Sequence, residues 1–350
     1  MLHNLFSLTF EDFKSLCDEK FINPIHALEF YKRHYKLKKN KSLQFSNEFI
    51  HFINKHISQD LPKIHTINKS DDQTVKFLLK LNDDEYIETV LIPFNKKYTI
   101  CLSTQVGCAM NCSFCFTGKM GLKRNLNTEE IIGQYMVGFQ YLKENIHPLS
   151  PEPNIVFMGQ GEPLHNFEMV KKAISIFLDK NGLSLSQKKI TLSTAGYLPG
   201  LLRFHELNSV NLALSLHSVK DKLRNELIPI NQKYSLQEVL NVLKTIPLLK
   251  KQFINIEYLL IKDLNDSDED AKLLAEKIHS LKAIVNLIPY NPIPNLGYEK
   301  PSIDRVENFK KVLVKEHIPT MIRTTKGDEI LAACGQLNSR YAKSTSPLPR

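Results

Sequence analysis

From Tyr98 onward the chain repeats one pattern six times: a short apolar run rich in β-branched residues, then a longer stretch with helical spacing. The runs are YTICLST, NIVFMG from Asn154, KKITLST from Lys188, VNLALSLH from Val210, FINIEYLLI from Phe253 and AIVNLIPY from Ala283. The intervening stretches include TEEIIGQYMVGFQYL, FEMVKKAISIFL, LQEVLNVLKTI and DEDAKLLAEKIHSL, and IDRVENFKKVLVKE follows the last run. A strand that returns through a helix before the next strand pairs in parallel. Six such units predict an α/β fold, with a parallel sheet curled into a partial (β/α)6 barrel. In such architectures chemistry sits at the C-terminal ends of the strands.

The rest of the chain divides around this unit. Residues 1–60 contain no Gly, and their spacing predicts three amphipathic helices over 10–18, 24–35 and 47–56, a small N-terminal helical accessory domain. Residues 61–97 predict a β-hairpin extension, 75–81 against 86–93 across the turn signal NDDE. The barrel takes residues 98–325. Residues 326–350 form a C-terminal loop around Cys334 and a tail, RYAKSTSPLPR, expected to fray.

Four of the six cysteines stand in CLSTQVGCAMNCSFC: Cys101, Cys108, Cys112 and Cys115. This clustering points to metal or redox chemistry in a reducing cytoplasm rather than to a disulfide framework. The last three are spaced C-x3-C-x2-C. Three thiolates hold three corners of a 4Fe-4S cluster, whereas electron-transfer clusters commonly use four. One iron is then open to bind S-adenosylmethionine (SAM), and an electron from the cluster can break its carbon–sulfur bond. A structural zinc is the alternative for clustered cysteines, but such sites usually pair two knuckles, and here there is one, with no histidine nearby.

The other motifs fall at the same ends of the predicted strands. The cysteine loop follows the first strand and GQGEP (159–163) the second. Ser193 ends the third, SLH (215–217) ends the fourth, and Asn291 follows the sixth. Glycine lets the backbone approach a ligand, so Gly161 and Glu162 are candidates to hold an amino group. Ser193 and Ser215 suit polar ligand groups, or local backbone bonding at a strand end. His217 suits a ligand contact or a polar core position. Cys334, in RTTKGDEILAACGQL, and Cys101 remain after the cluster ligands are assigned, and two spare thiols suggest thiol chemistry. Cys17 reads as structural. Glu88, in YIETVLIP, reads by its type as an outward-facing surface residue.

The net charge of +9 predisposes the chain toward a polyanion, with nucleic acid the usual partner. KRHYKLKKNK (32–41) and residues 119–124 are candidate phosphate contacts, with a solvated helix end as the plainer reading of the first. No apolar run approaches the ~20 residues of a membrane span. The N-terminal MLHNLFSLTFEDF lacks the charged n-region of a secretory signal, so a cytoplasmic location with no membrane partner is expected.

Taken together, CLSTQVGCAMNCSFC, GLKRNL, GEPL, LSLH, NLIPYNP and RTTKGDEILAACGQL resemble the RlmN/Cfr family of radical-SAM adenosine methyltransferases, from about Glu88 to Leu337. The resemblance implies methylation of an adenine ring carbon in RNA. That carbon is electron-poor and cannot attack the SAM methyl group directly, which is why a radical is required. In the RlmN branch the target is C2 of an adenosine in the peptidyl-transferase centre of 23S rRNA, and in some members also the adenosine beside the anticodon of tRNA. In the Cfr branch it is C8 of the same rRNA base. Glu88 and RTTKGDEI lean toward RlmN, while Phe116-Thr-Gly-Lys leans toward Cfr.

The same resemblance implies that Cys108, Cys112 and Cys115 hold the cluster, and that Gly161, Glu162, Ser193, Ser215, His217 and Asn291 contact SAM. Two SAM are used per turnover. One methylates Cys334; the other yields the radical that takes a hydrogen from that methyl group. The carbon radical adds to the adenine, Glu88 removes the C2 proton, and Cys101 releases the product by forming a disulfide with Cys334. An electron donor and a thiol reductant complete the partner set. Two readings from other classes stand beside this one: a radical-SAM enzyme acting on a small molecule or peptide, and a non-catalytic zinc- or RNA-binding protein.

Overall fold

The computed structural model describes residues 2–37, 44–95, 97–146, 152–293 and 296–339. Three N-terminal helices are present: α1 (Phe10–Asp18), α2 (Pro24–Lys36) and α3 (Asn47–His56). Each begins at a residue suited to cap it. Thr9 and Asp12 form a reciprocal capping box, Asn23 accepts from Ile25 N ahead of Pro24 at the first helical position, and Ser46 accepts from Phe49 N.

One open sheet of ten strands dominates the rest. In chain order these are β1 (Lys63–Lys69), β2 (Val75–Lys80), β3 (Tyr86–Phe94), β4 (Lys97–Cys101), β5 (Asn154–Phe157), β6 (Ile190–Thr194), β7 (Asn211–Ser215), β8 (Ile254–Leu260), β9 (Ala283–Pro289) and β10 (Thr320–Ile322). Each pairs only with its neighbours in sequence. The first four form an antiparallel meander, and β4 through β10 run parallel. Helices α4 (Phe116–Met120), α5 (Thr128–Asn145), α6 (Phe167–Leu178), α7 (Leu198–Leu202), α8 (Asp221–Leu227), α9 (Leu236–Thr245), α10 (Asp268–Ile278) and α11 (Ile303–Lys315) fill the crossovers.

The expected partial barrel is therefore present, with two strands that the sequence pattern does not announce. β1 reads KIHTINK and is exposed along its whole length, so no buried face imposes an alternation. β10 has three residues and adds a seventh parallel strand at the open edge. The hairpin is the centre of the meander, continuous with the barrel through β3 and β4, where Val90 pairs with Cys101.

A single apolar core runs from the N-terminal helices into the barrel, joining Phe13, Tyr31 and Phe49 to Ile174 and Phe177. Polar contacts fix this docking. Phe10 N donates to Asp179 Oδ2 at 2.7 Å, and Lys143 Nζ donates to Lys36 O at 2.7 Å. A smaller apolar cluster at the barrel mouth packs Met110, Leu259, Ile288 and Tyr290 against Cys108, Cys112 and Phe114. Residues 38–41 of the basic stretch and the tail from 340 lie outside the described residues. No described helix is long and apolar enough to cross a membrane.

Candidate active site

A cavity of about 1020 Å³, counting its open mouth, lies at the C-terminal ends of the parallel strands. Its wall includes Cys108, Cys112 and Cys115 on the loop after β4. Gly107 (φ +79°) turns this loop against Gly121, whose carbonyl oxygen lies 1.8 Å from where a Cβ would be, so no side chain fits. Cys108 N donates to that same oxygen at 3.2 Å, and Ser113 N donates to Leu227 O at 3.1 Å. Burial pushes the Cys108 thiol up to about 12 and Cys112 well above its ordinary range. Bound metal reverses that preference, because its charge favours thiolate. The donor set fits an iron–sulfur cluster: three thiols line one cavity.

The GQGEP turn follows β5. Gly161 has φ +103°, and a Cβ there would lie 2.6 Å from Gln105 Cβ. Glu162 is buried and accepts from Ala195 N at 2.8 Å and Leu164 N at 3.1 Å. Burial nonetheless raises its carboxyl to about 7. Ser193 on β6, Ser215 on β7 and His217 line the same wall. His217 sits at φ +58°, accepts from Leu259 N at 3.1 Å through Nδ1, and meets Phe114 edge-on at 4.9 Å. Burial pulls its pKa down to about 3, so the ring is neutral and Nε2 carries the proton.

Three inward residues were not singled out in the sequence. Glu257 stands level with Ser215 and Asn286 on adjacent strands, and accepts from Asn286 Nδ2 at 2.9 Å. Arg323 lies 3.9 Å from Glu257 Oε2. Arg224 is wholly buried and donates to Leu216 O, Ala195 O, Ser215 O and Asn231 Oδ1. One signal was readable for it: helical spacing places Arg224 on the same side as the apolar Leu227 and Ile228.

Cys334 lines this cavity and a second, smaller one, where it meets Cys101, Asn291 and Arg323. All six cysteines are free thiols, so Cys101 and Cys334 are not joined by a disulfide in this structure. Burial first, and the neighbouring Cys334 second, push Cys101 up to about 12, while Arg323 opposes them. The Cys334 turn is clamped from several sides. Phe116 N donates to Gly335 O at 2.8 Å, Thr117 Oγ1 to Leu337 O at 2.8 Å, and Gln336 Nε2 to Asp328 Oδ1 at 2.6 Å. Asn291 reaches Cys334 O at 3.5 Å and accepts from Thr325 Oγ1 at 2.9 Å, so it braces this turn.

Of the twelve predicted site residues, Glu88 alone lines neither cavity. Nor is it the outward-facing residue its type suggests: its side chain is 1% exposed and lies 3.0 Å from Lys76 Nζ. The cover comes from the C-terminal segment, whose residues Ala332 and Leu337 pack with Val90 and Cys101. Burial raises the Glu88 pKa; Lys76 and the Asn338 backbone pull it back. Two of the cations proposed for phosphate contact are also engaged within the chain. Lys123 pairs with Glu85 at 2.7 Å, and Arg124 pairs with Asp83 at 2.7 Å and with both oxygens of Glu130.

The sequence profile of the Radical SAM superfamily matches residues 102–275. Over 350 residues the chain is 37% identical to the dual-specificity RNA methyltransferase RlmN of Vesicomyosocius okutanii subsp. Calyptogena okutanii, covering 99% of this chain and 98% of that protein. It is 41% identical over 342 residues to the probable dual-specificity RNA methyltransferase RlmN of Aquifex aeolicus, covering 95% and 96%. Among solved structures, a radical SAM methyltransferase from Sphaerobacter thermophilus matches with TM-score 0.89 and 32% identity, covering 96% of this chain and 99% of that one.

Proposed function

Because this chain belongs to the RlmN family of radical-SAM RNA methyltransferases, we propose that it methylates C2 of an adenosine in the peptidyl-transferase centre of 23S rRNA, and the adenosine beside the anticodon of tRNA. The observation that carries the reading is the position of Cys334. It borders both the cavity of the three thiols and the cavity of Cys101.

Cys108, Cys112 and Cys115 would hold a 4Fe-4S cluster, which when bound supplies one-electron chemistry toward SAM. Glu162 as carboxylate accepts from the SAM ammonium beside the open turn at Gly161. Ser193, Ser215 and the Nε2–H of His217 offer polar contacts along the same wall, while Asn291 stands on the adjoining cavity and braces the Cys334 turn.

Two SAM serve one turnover. Cys334 Sγ displaces the methyl group of the first, leaving S-adenosylhomocysteine. The second is the source of the radical that takes one hydrogen atom from the S-methyl group. The resulting carbon radical on Cys334 adds to adenine C2. The adduct then loses its C2 proton to Glu88 and one electron, which a 4Fe-4S cluster held by Cys108, Cys112 and Cys115 would take back in its oxidised state. Cys101 attacks the Cys334 sulfur. The carbon–sulfur bond breaks, its electron pair is protonated to complete the new methyl group, and a disulfide remains for an external thiol to reduce. Such a cycle suits a reducing cytoplasm. Glu88 lies behind the segment that carries Cys334, so the proton step requires that segment to shift.

The target base must leave its stack to enter the barrel mouth, as enzymes acting on bases require. Residues 1–60 would serve as an accessory domain, and 61–97 as an extension of the 98–325 barrel, with 326–350 carrying the methyl carrier. The test is an anaerobic assay with methyl-labelled SAM and a large-subunit rRNA fragment, the digest resolved by mass spectrometry. 2-Methyladenosine is expected; 8-methyladenosine would refute the C2 assignment. Cys334→Ala should transfer no methyl group, and Cys101→Ala should stall as a covalent protein–RNA adduct. Normal turnover by either variant would refute its assigned role.

A further inference from the structure

Three hydrogen bonds among the described residues join the antiparallel meander to the Cys334 segment. Asp71 N donates to Glu329 Oε1 at 2.6 Å, Gly327 N donates to Asp72 Oδ2 at 3.0 Å, and Lys76 Nζ donates to Leu331 O at 3.1 Å. The third contact differs from the others, because the same ammonium lies 3.0 Å from Glu88 Oε1. Lys76 stands level with Val90 on β3, so Glu88 is its diagonal neighbour on the adjacent strand. Both side chains are largely withdrawn from water, 12% and 1% exposed.

The remaining groups around Glu88 are neutral. Gln160 Oε1 accepts from its backbone N–H at 3.1 Å, Ser103 Oγ donates to its carbonyl at 2.6 Å, and the Asn338 backbone lies against its carboxylate. Lys76 is thus the charged group that faces it. A buried carboxyl without a cation takes up a proton instead of staying charged. A protonated Glu88 has no capacity to accept the proton from C2.

We propose that Lys76 is a positioning residue for the proton-removal step: its ammonium holds Glu88 as a carboxylate and ties that carboxylate to the segment bearing Cys334. The inference rests on the reading of Glu88 as the base. Base and methyl carrier are joined through one side chain, and the flexible lysine stem lets the tie persist while the segment shifts. Burial raises the Glu88 pKa and Lys76 lowers it. Without the cation, Glu88 protonates at higher pH, and the acid limb of the proton-removal step moves upward.

The experiment compares wild type with Lys76→Gln, Lys76→Arg and Glu88→Gln, each reconstituted anaerobically and premethylated on Cys334. Covalent adduct and released 2-methyladenosine are quantified against pH. Glu88→Gln should accumulate adduct at every pH. Lys76→Gln should accumulate adduct at lower pH and recover as pH rises, with its acid limb displaced upward relative to wild type. Lys76→Arg, which keeps the cation, should restore the wild-type limb. A Lys76→Gln profile matching wild type while Glu88→Gln accumulates adduct would overturn the proposal alone. Normal turnover by Glu88→Gln would overturn the reading of Glu88 and the proposal with it. Amide exchange in the cluster-free protein supplies a separate readout. Residues 327–337 should exchange faster in Lys76→Gln than in Glu88→Gln, where the lysine tie to Leu331 remains; equal protection in these two variants would overturn the tether.

Discussion

Replacing Arg224 with methionine removes a side chain that stitches the ends of β6 and β7 together. Its guanidinium donates to Ala195 O at 3.0 Å, Leu216 O at 3.1 Å, Ser215 O at 3.3 Å and to Asn231 Oδ1. Hydrogen bonds from a charged donor contribute about 1.5–3 kcal/mol each, so four of them amount to roughly 6–12 kcal/mol before offsets. The main offset is burial of the cation, which pulls its pKa down to about 10. That shift corresponds to about 3 kcal/mol regained when the charge is removed. Methionine fills much of the same volume, so no large cavity adds to the loss. The net expectation is destabilisation of at least about 3 kcal/mol, in the range for breaking a buried charged network. Urea unfolding of the metal-free protein, followed by circular dichroism, measures it. With a slope of about 3 kcal/mol/M, the midpoint should fall by about 1 M or more. Arg224→Lys has one nitrogen for these acceptors and should fall between methionine and wild type. A methionine variant within about 1 kcal/mol of wild type, at unchanged slope, would refute the idea that Arg224 holds the strand ends.

Two further outcomes follow from the same wall. His217 is neutral in the fold, its pKa lowered from 6.5 to about 3 by burial and by Arg224. The unfolded chain therefore takes up this proton first, so the contribution is complete above about 6.5 and is lost as pH falls toward 3, by about 1.4 kcal/mol at pH 5.5. His217→Asn tolerates the positive φ and lacks the titration; the wild-type-minus-variant stability should shrink with falling pH, and a flat difference would refute the linkage. Gly161→Ala places a Cβ 2.6 Å from Gln105 Cβ at φ +103°. It should weaken SAM binding about tenfold or more by displacing Glu162, read by equilibrium binding; unchanged affinity would contradict a turn that needs glycine.

Much of the fold is legible because it is written in local signals. The capping residues Thr9, Asn23 and Ser46 mark helix starts, and the strand runs of the barrel are short, apolar and evenly separated. β1 escapes notice because all its side chains face water and its pairing with β2 is a backbone matter. β10 is too short to carry a period. Glu88 has the composition of a surface position, and what buries it is a segment from the far end of the chain. Lys123 and Arg124 look free in sequence, yet their partners Glu85 and Asp83 arrive from the β2–β3 turn.

The sequence by itself determined the chemistry available and the end of the barrel where it gathers. Three thiols at C-x3-C-x2-C would leave a cluster one ligand short, and parallel strands joined by helices bring every following loop to the same side. Tertiary structure alone decided which groups meet. Cys101 and Cys334 share a cavity because the C-terminal segment folds back over β3 and β4. Lys76 bridges Glu88 to Leu331 because the meander continues the barrel sheet beneath that segment. Local periodicity sets the direction in which a side chain leaves its strand; the long-range packing that chooses its partner depends on the whole sheet and has no period to read.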